Sequence, residues 1–138
     1  MESVQETLNL NADRAELSKL RSSLQLRCQE AGIRPKTTRR IVLAIDEAAA
    51  NVMEHGNLGP SDPVQVELEI EGDGIQVIIR DRGKSFDPSA QSPGESKSFA
   101  PGQKRGFGLY LLHLITDSVD YERTPDGENV LTLRITGP

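Results

Sequence analysis

Hydrophobic and polar residues alternate along several short stretches of the chain, and this period of two is typical of strands with one buried face. Five stretches are predicted as strands: 6–10, 64–71, 75–81, 118–124 and 129–136. Gly72-Asp73-Gly74 separates the second from the third, and Pro125-Asp126-Gly127 separates the fourth from the fifth. Both tripeptides have turn chemistry, so the sequence predicts two hairpins.

Other apolar residues recur at intervals of three and four, which predicts helices with a buried stripe. The three stripes are Leu17, Leu20, Leu24 and Cys28; Ile41, Ile45, Ala48 and Val52; and Leu109, Leu112 and Ile115. Asp13 is predicted to cap the first helix and Gly32 to end it. Pro35 begins the second helix, which runs as far as Gly56.

The segment 83–105 has no hydrophobic period, and 11 of its 23 residues are Gly, Pro or Ser. A loop of this length in a compact domain is typical of a lid, a binding loop or disorder. We expect a single domain over residues 1–138. The predicted fold class is α+β: a two-layer α/β sandwich in which three helices cover one face of a mixed, mostly antiparallel sheet.

Composition narrows the function classes. The chain has 138 residues, 36% of them hydrophobic, enough for a real core. Its 16 basic and 21 acidic residues give a net charge of −5, which disfavours a nucleic-acid surface. The lone Cys28 cannot form an internal disulfide, and no apolar run has transmembrane length or the pattern of a signal peptide. We therefore expect a cytoplasmic protein that binds a protein or a small ligand, with no membrane or direct nucleic-acid contact.

The second helix carries the first candidate site, in "DEAAANVMEHG" (46–56). Glu47 and Asn51 lie one turn apart and fall at the shoulder of the apolar stripe, bordering the core without entering it. Asp46 falls on nearly the opposite side and is predicted to be solvated. A surface i,i+4 pair remains the alternative for Glu47 and Asn51. His55 extends the shoulder, but Asn is a poor zinc ligand, so a hard cation such as Mg²⁺ is favoured.

The second candidate site is "RDRGKSFDP" (80–88), where the third strand ends. The carboxylate of Asp81 could accept a hydrogen bond from an amine, and Gly83 permits positive φ or the close approach of a flat ligand. An ordinary turn would have the same residues, so the alternative stays open here.

The third candidate site is "QKRGFGLYLL" (103–112). Gly106 and Gly108 directly precede a predicted helix, whose unpaired N–H groups and dipole suit an anion, and Lys104 and Arg105 lie beside them. A plain helix start is the alternative, because a single Gly-x-Gly is common.

In this order, the three segments resemble the histidine-kinase-type (GHKL, or Bergerat-fold) ATP-binding domain, and most closely its anti-sigma-factor serine kinase branch. The resemblance implies Glu47 as the general base and Asn51 as the ligand of Mg²⁺. It implies that Asp81 holds the adenine amino group and that Gly83 lets the base lie close. The resemblance implies further contacts with the nucleotide for Phe86, Arg105, Gly106, Phe107, Gly108 and Leu109. It also implies that Arg105 stabilises the charge that develops during catalysis. The segment of about 83–105 corresponds to the family's ATP lid.

The resemblance further implies an ATP-dependent serine protein kinase and anti-sigma factor. Its cofactors would be ATP and Mg²⁺, and its partners a STAS-domain anti-anti-sigma protein and a sigma factor. Homodimerisation is plausible from the family, although no surface stripe in the sequence indicates it. A nucleotide-dependent switch without kinase activity, a slow ATPase module, and an interaction domain that binds no nucleotide are the alternatives.

The chain departs from the family pattern at two positions. Ser85 stands where the wider superfamily often has a second glycine, although Phe86-Asp87-Pro88 is similar to the anti-sigma branch. Gly127 is followed by Glu128 where the family commonly has threonine, so a threonine contact to the nucleotide is in doubt and Thr132 is not assigned to that role.

Overall fold

The computed structural model describes residues 4–72, 74–85, 112 and 114–136. Along the chain these form seven strands and helices: β1 (Val4–Asn11), α1 (Leu17–Glu30), α2 (Pro35–His55), β2 (Pro63–Glu71), β3 (Gly74–Asp81), β4 (Ser118–Arg123) and β5 (Asn129–Thr136). A short 3-10 helix, Arg14–Glu16, precedes α1.

The five strands form one sheet in the order β1-β2-β3-β5-β4, and each neighbouring pair is antiparallel. The predicted α+β class is confirmed, and both predicted hairpins are present. Gly72 and Gly127 adopt positive φ angles of 61° and 92° in the two turns. Because β5 lies between β3 and β4, the end of β3 is brought beside the start of β5.

The strands alternate as the sequence predicts, with one apolar face turned toward the helices. The predicted stripes of α1 and α2 are all buried in the core between helices and sheet. The largest fully buried side chains include Leu20, Leu24, Ile41, Ile45, Ile70, Ile79, Leu112 and Leu133. Burial of such side chains contributes roughly 1.5–3 kcal/mol each, so this layer holds α2 firmly against the sheet.

Several boundaries differ from the prediction. β1 is longer than 6–10 because its whole length pairs with β2, from Val4 to Asn11. The side chain of Asp13 caps the 3-10 helix rather than α1 itself, accepting a hydrogen bond from the Ala15 N–H at 3.0 Å. α1 ends as predicted before Gly32, which has a φ of 77°.

The third predicted helix lies mostly outside the described residues. Leu112 is helical and fully buried, and Ile115 is helical and packs against the core, whereas Leu109 is not described. The predicted lid at about 83–105 is likewise outside the described residues beyond Ser85. In the part of the chain that is described, no helix is both long enough and apolar enough to span a bilayer.

Asp46 lies outside the core, as predicted, but it is only partly exposed to solvent. Its carboxylate faces α1 and pairs with the guanidinium of Arg21, with an N–O distance of 2.9 Å. The helical period correctly excluded Asp46 from the core, but it contains no information on where the neighbouring helix packs.

Candidate functional site

Glu47 and Asn51 of α2 are more buried than two residues on a helix surface would be. Glu47 is half-buried, as its predicted position at the border of the core requires. Asn51, predicted only to border the core, is 4% exposed and lies inside it. The prediction for Asn51 was wrong in depth, because a helical period gives the angle of a residue around its own axis and not the cover that other elements provide.

The buried amide of Asn51 is not satisfied. Its Nδ2 atom has no hydrogen-bond partner among the described residues, and it is the one buried side-chain nitrogen or oxygen of those residues in this condition. Leaving a buried donor unpaired costs about 1–3 kcal/mol, so a structural role alone would favour an apolar residue here. An amide retained at such a cost points to binding.

Glu47 has an altered acidity. Its pKa is raised, first by burial of the carboxylate and then by the negative charge of Asp46, while the guanidinium of Arg14 opposes the rise. A carboxylate whose proton affinity is increased in this way is a stronger base than an exposed glutamate, which suits proton abstraction.

Asp81 ends β3 on the apolar face of the sheet and is 6% exposed. The alternation that buries Ile75, Val77 and Ile79 carries Asp81 into the same layer. Its Oδ1 accepts hydrogen bonds from the Gly83 N–H at 2.8 Å and from Asn129 Nδ2 at 3.0 Å. The carboxylate is therefore held by the protein at one oxygen, rather than solvated as in an ordinary turn.

Gly83 makes a close backbone contact that a side chain would prevent. A Cβ at this position would lie 2.4 Å from the carbonyl oxygen of Gly56 and 2.8 Å from Leu58 Cδ2. The adjacent Lys84 N–H donates to the same Gly56 oxygen at 2.8 Å. Because glycine has no Cβ, the chain after β3 can pack directly on the end of α2.

This contact brings two of the three candidate segments together around a small pocket. The pocket is small in this structure, with an accessible volume of about 10 Å³, which is about the space of one water molecule. It is lined by Val52 at the end of α2 and by Gly56, which follows that helix, by Asp81 at the end of β3 and by the following Lys84, and by side chains of β4 and β5. Glu47 and Asn51 precede this end of α2 on the neighbouring side of the helix.

The polar groups of Asn51 and Glu47 have the chemistry that a phosphate group with a hard cation requires. Amide and carboxylate oxygens are suitable ligands for such a cation, whereas the unpaired Nδ2 of Asn51 is a donor and requires an acceptor such as a phosphate or water oxygen. Among the described residues, no three His, Cys, Asp or Glu side chains form a metal site by themselves. A cation at Asn51 would therefore draw further ligands from phosphate and water, as Mg²⁺ commonly does.

The remaining predicted site residues lie outside the described residues. They are Phe86, Arg105, Gly106, Phe107, Gly108 and Leu109. Their predicted contacts with the nucleotide stay predictions. The side chain of His55 is also outside the description.

Sequence reasoning missed Asn129, which is 4% exposed and contacts Asp81 directly. Its signal was present: it shares the inward register of β5 with Leu131 and Leu133, where an apolar residue is expected. Thr132 alternates onto the opposite face of the sheet, paired with Ile78, so it lies away from Asp81.

The antiparallel sheet with helices on one face is the α+β architecture that the sequence predicts for an ATP-binding domain. The chain belongs to the family described as the histidine kinase-like ATPase domain, whose sequence profile matches residues 10–135. ATP binding with a divalent metal is the property that this family implies.

Two relatives connect the chain to the predicted branch of that family. It is 34% identical over 83 residues to the serine-protein kinase RsbW of Oceanobacillus iheyensis, covering 56% of this chain and 52% of that protein. It is 29% identical over 120 residues to the serine-protein kinase RsbW of Listeria innocua, covering 82% of this chain and 76% of that protein. The chain thus spans about half the length of the first relative and about three quarters of the second. The predicted membership of the histidine-kinase-type ATPase family is confirmed, and both relatives carry the name serine-protein kinase.

Solved structures share the fold. The RsbU and RsbW domains of a Mycobacterium tuberculosis protein match with a TM-score of 0.69 at 18% identity, covering 96% of this chain and 32% of that one. A chain of the SiaB-SiaC complex from Pseudomonas aeruginosa matches with a TM-score of 0.63 at 16% identity, covering 96% and 89%. At these identities the likeness concerns the fold alone.

Proposed function

We propose that this protein is an ATP-dependent serine protein kinase of a bacterial partner-switching system. Its substrate is a serine of a STAS-domain anti-anti-sigma protein, and its second partner is a sigma factor. The observation that carries the proposal is the buried, unpaired amide of Asn51 one helical turn from the half-buried carboxylate of Glu47. ATP as the phosphoryl donor makes the cytoplasm the site of action.

Phosphoryl transfer depends mainly on positioning and charge, and the proposal assigns both roles to residues of this site. Asn51 would bind Mg²⁺ through its amide oxygen, and Asp81 would accept a hydrogen bond from the adenine amine. ATP supplies the γ-phosphoryl group when it is bound. The hydroxyl oxygen of the substrate serine then forms a bond to the γ-phosphorus as the bond to the β,γ-bridging oxygen breaks and ADP leaves.

Glu47 is proposed to accept the proton that the serine hydroxyl loses. Burial raises the pKa of Glu47 and so favours this role. A general base works best when its pKa lies near the pH of the reaction. The relatives named serine-protein kinase support the reaction class. The SiaB-SiaC complex supports the view that this fold engages a protein partner.

The proposal is tested by incubating the purified protein with Mg-ATP and candidate STAS proteins encoded beside its gene. Intact mass should reveal one added phosphate on the STAS protein with the wild type. Glu47→Gln should bind ATP with unchanged affinity but transfer phosphate about 100-fold or more slowly, as expected for loss of a general base.

Glu71→Gln is the matched control, since it makes the same change of charge at the exposed end of β2. Equal transfer by the wild type and Glu47→Gln would refute the role of Glu47. ATP-dependent complex formation with no phosphate on any partner would identify a switch without kinase activity.

A further inference from the structure

Three polar side chains form a hydrogen-bonded row across the end of the sheet that lines the pocket. Arg123 of β4 and Asp81 of β3 are each the direct register partner of Asn129 of β5. Arg123 Nη1 lies 2.8 Å from Asn129 Oδ1, and Asn129 Nδ2 lies 3.0 Å from Asp81 Oδ1. The row connects an exposed guanidinium to a buried carboxylate through a buried amide.

The chemistry of Arg123 fixes the direction of this row. A guanidinium has donors and no acceptor, so the amide atom of Asn129 that faces it must be the carbonyl oxygen. The Tyr121 hydroxyl also donates to that oxygen, at 2.5 Å. The NH₂ group of Asn129 is consequently directed toward Asp81, where only an acceptor can satisfy it.

The same NH₂ group also forms a hydrogen bond with the backbone after β3. Asn129 Nδ2 lies 3.0 Å from the carbonyl oxygen of Gly83, and Arg123 Nη1 lies 3.1 Å from that same oxygen. Asp81 Oδ1 receives both the Asn129 amide and the Gly83 N–H. Rotation of the Asp81 carboxylate would break both bonds, so Oδ2 is the oxygen left for a ligand and its position is constrained.

We propose that Asn129, oriented by Arg123, is the positioning residue that holds Asp81 for the amino group of adenine and thereby sets the base selectivity of the pocket. This inference rests on the proposed nucleotide-binding function. Adenine presents an amine at position 6, whereas hypoxanthine presents a carbonyl oxygen there and an N–H at the neighbouring ring position. A fixed Oδ2 pairs with the amine and opposes the carbonyl, whereas a mobile carboxylate can move to accept from the ring N–H.

The test compares the binding of Mg-ATP and Mg-ITP, which differ only in the purine base, by calorimetry on the full chain. The wild type should prefer ATP by about tenfold or more, the value expected for a hydrogen bond to a charged group. Asn129→Ala should bind ATP about tenfold more weakly and should lose most of the preference over ITP, because Asp81 is no longer held.

Thr132→Val is the matched control, since it lies on the same strand with its side chain on the opposite face. It should retain both the ATP affinity and the ATP/ITP ratio. Where Asn129→Ala fails to fold, the double variant Tyr121→Phe, Arg123→Met removes the two side chains that donate to Asn129 Oδ1 and leaves the amide in place. That variant should lower the ATP/ITP ratio by about threefold or more, as expected for loss of a typical hydrogen bond.

A folded Asn129→Ala that binds both nucleotides more weakly but keeps the wild-type ratio would overturn the inference, since Asn129 would then contribute only to stability. An unchanged ratio in the double variant would overturn it as well. Failure of the wild type to bind either nucleotide would instead remove the proposed function, and the two failures are thereby distinguished.

Discussion

Replacing Asn51 by leucine should stabilise the protein without nucleotide while it abolishes the binding of Mg-ATP. The Nδ2 atom of Asn51 is buried and unpaired among the described residues, and such a donor costs about 1–3 kcal/mol. Leucine has a similar size, has no polar atom to satisfy and is a better helix former than asparagine by a few tenths of a kcal/mol. The expected gain in the free energy of unfolding is about 1–3 kcal/mol.

For a chain of 138 residues, one kcal/mol corresponds to roughly 4 °C in Tm, so Asn51→Leu should melt about 4–12 °C above the wild type in the absence of nucleotide. With Mg-ATP at 100 times its Kd, the wild type should gain about 2.7 kcal/mol by linkage. The variant should gain little, because it has lost the amide oxygen that we propose binds the cation.

The assay is urea denaturation with and without Mg-ATP, which gives the free energy of unfolding for each state. Asn51→Asp is the matched control: it retains an oxygen for the cation but buries a charge, so it should be less stable than the wild type without nucleotide. If Asn51→Leu unfolds more easily than the wild type in the absence of ligand, the amide is satisfied in the native protein and the reasoning fails.

Three further predictions concern the same site. Gly83→Ala should lower the free energy of unfolding by about 1–3 kcal/mol, since the alanine Cβ would lie 2.4 Å from the carbonyl oxygen of Gly56. An unchanged midpoint of urea denaturation would contradict this close contact. Asp46→Asn should move the acid limb of the phosphotransfer pH profile to lower pH, because a negative charge that raises the pKa of Glu47 is removed. An acid limb at the wild-type pH would show that a group other than Glu47 titrates there. Glu47→Gln should gain stability relative to the wild type as pH rises above 4.5. The reason is that an acid whose folded-state pKa is raised loses its stabilising contribution as pH rises through that pKa. Parallel curves of unfolding free energy against pH for the two proteins would disprove this.

Much of the fold followed from local pattern. The alternation in β2 and β3 and the stripes of α1 and α2 each lie within about 20 consecutive residues, and the structure has them as predicted. The turn glycines also followed from local chemistry, because Gly72 and Gly127 adopt positive φ angles that few other residues tolerate.

Depth and partnership were harder to predict. The helical period placed Asn51 at the border of the core and Asp46 in solvent, yet the first is buried and the second pairs with Arg21 of α1. A helical period gives the angle of a residue around its own axis, but the cover on each side depends on how neighbouring elements pack. That packing is a property of the whole chain.

The amino-acid sequence alone determined the elements, the buried faces and the motifs that resemble an ATP-binding domain, because these depend on residues close together in the chain. Only the tertiary structure decided that Asn129 contacts Asp81, 48 residues earlier, and that Gly83 packs on Gly56. The first contact requires the strand order in which β5 lies beside β3, and the second requires that α2 pack with its end against the end of β3. No local period specifies that order, since it follows from the joint burial of all five strands and the helices that cover them.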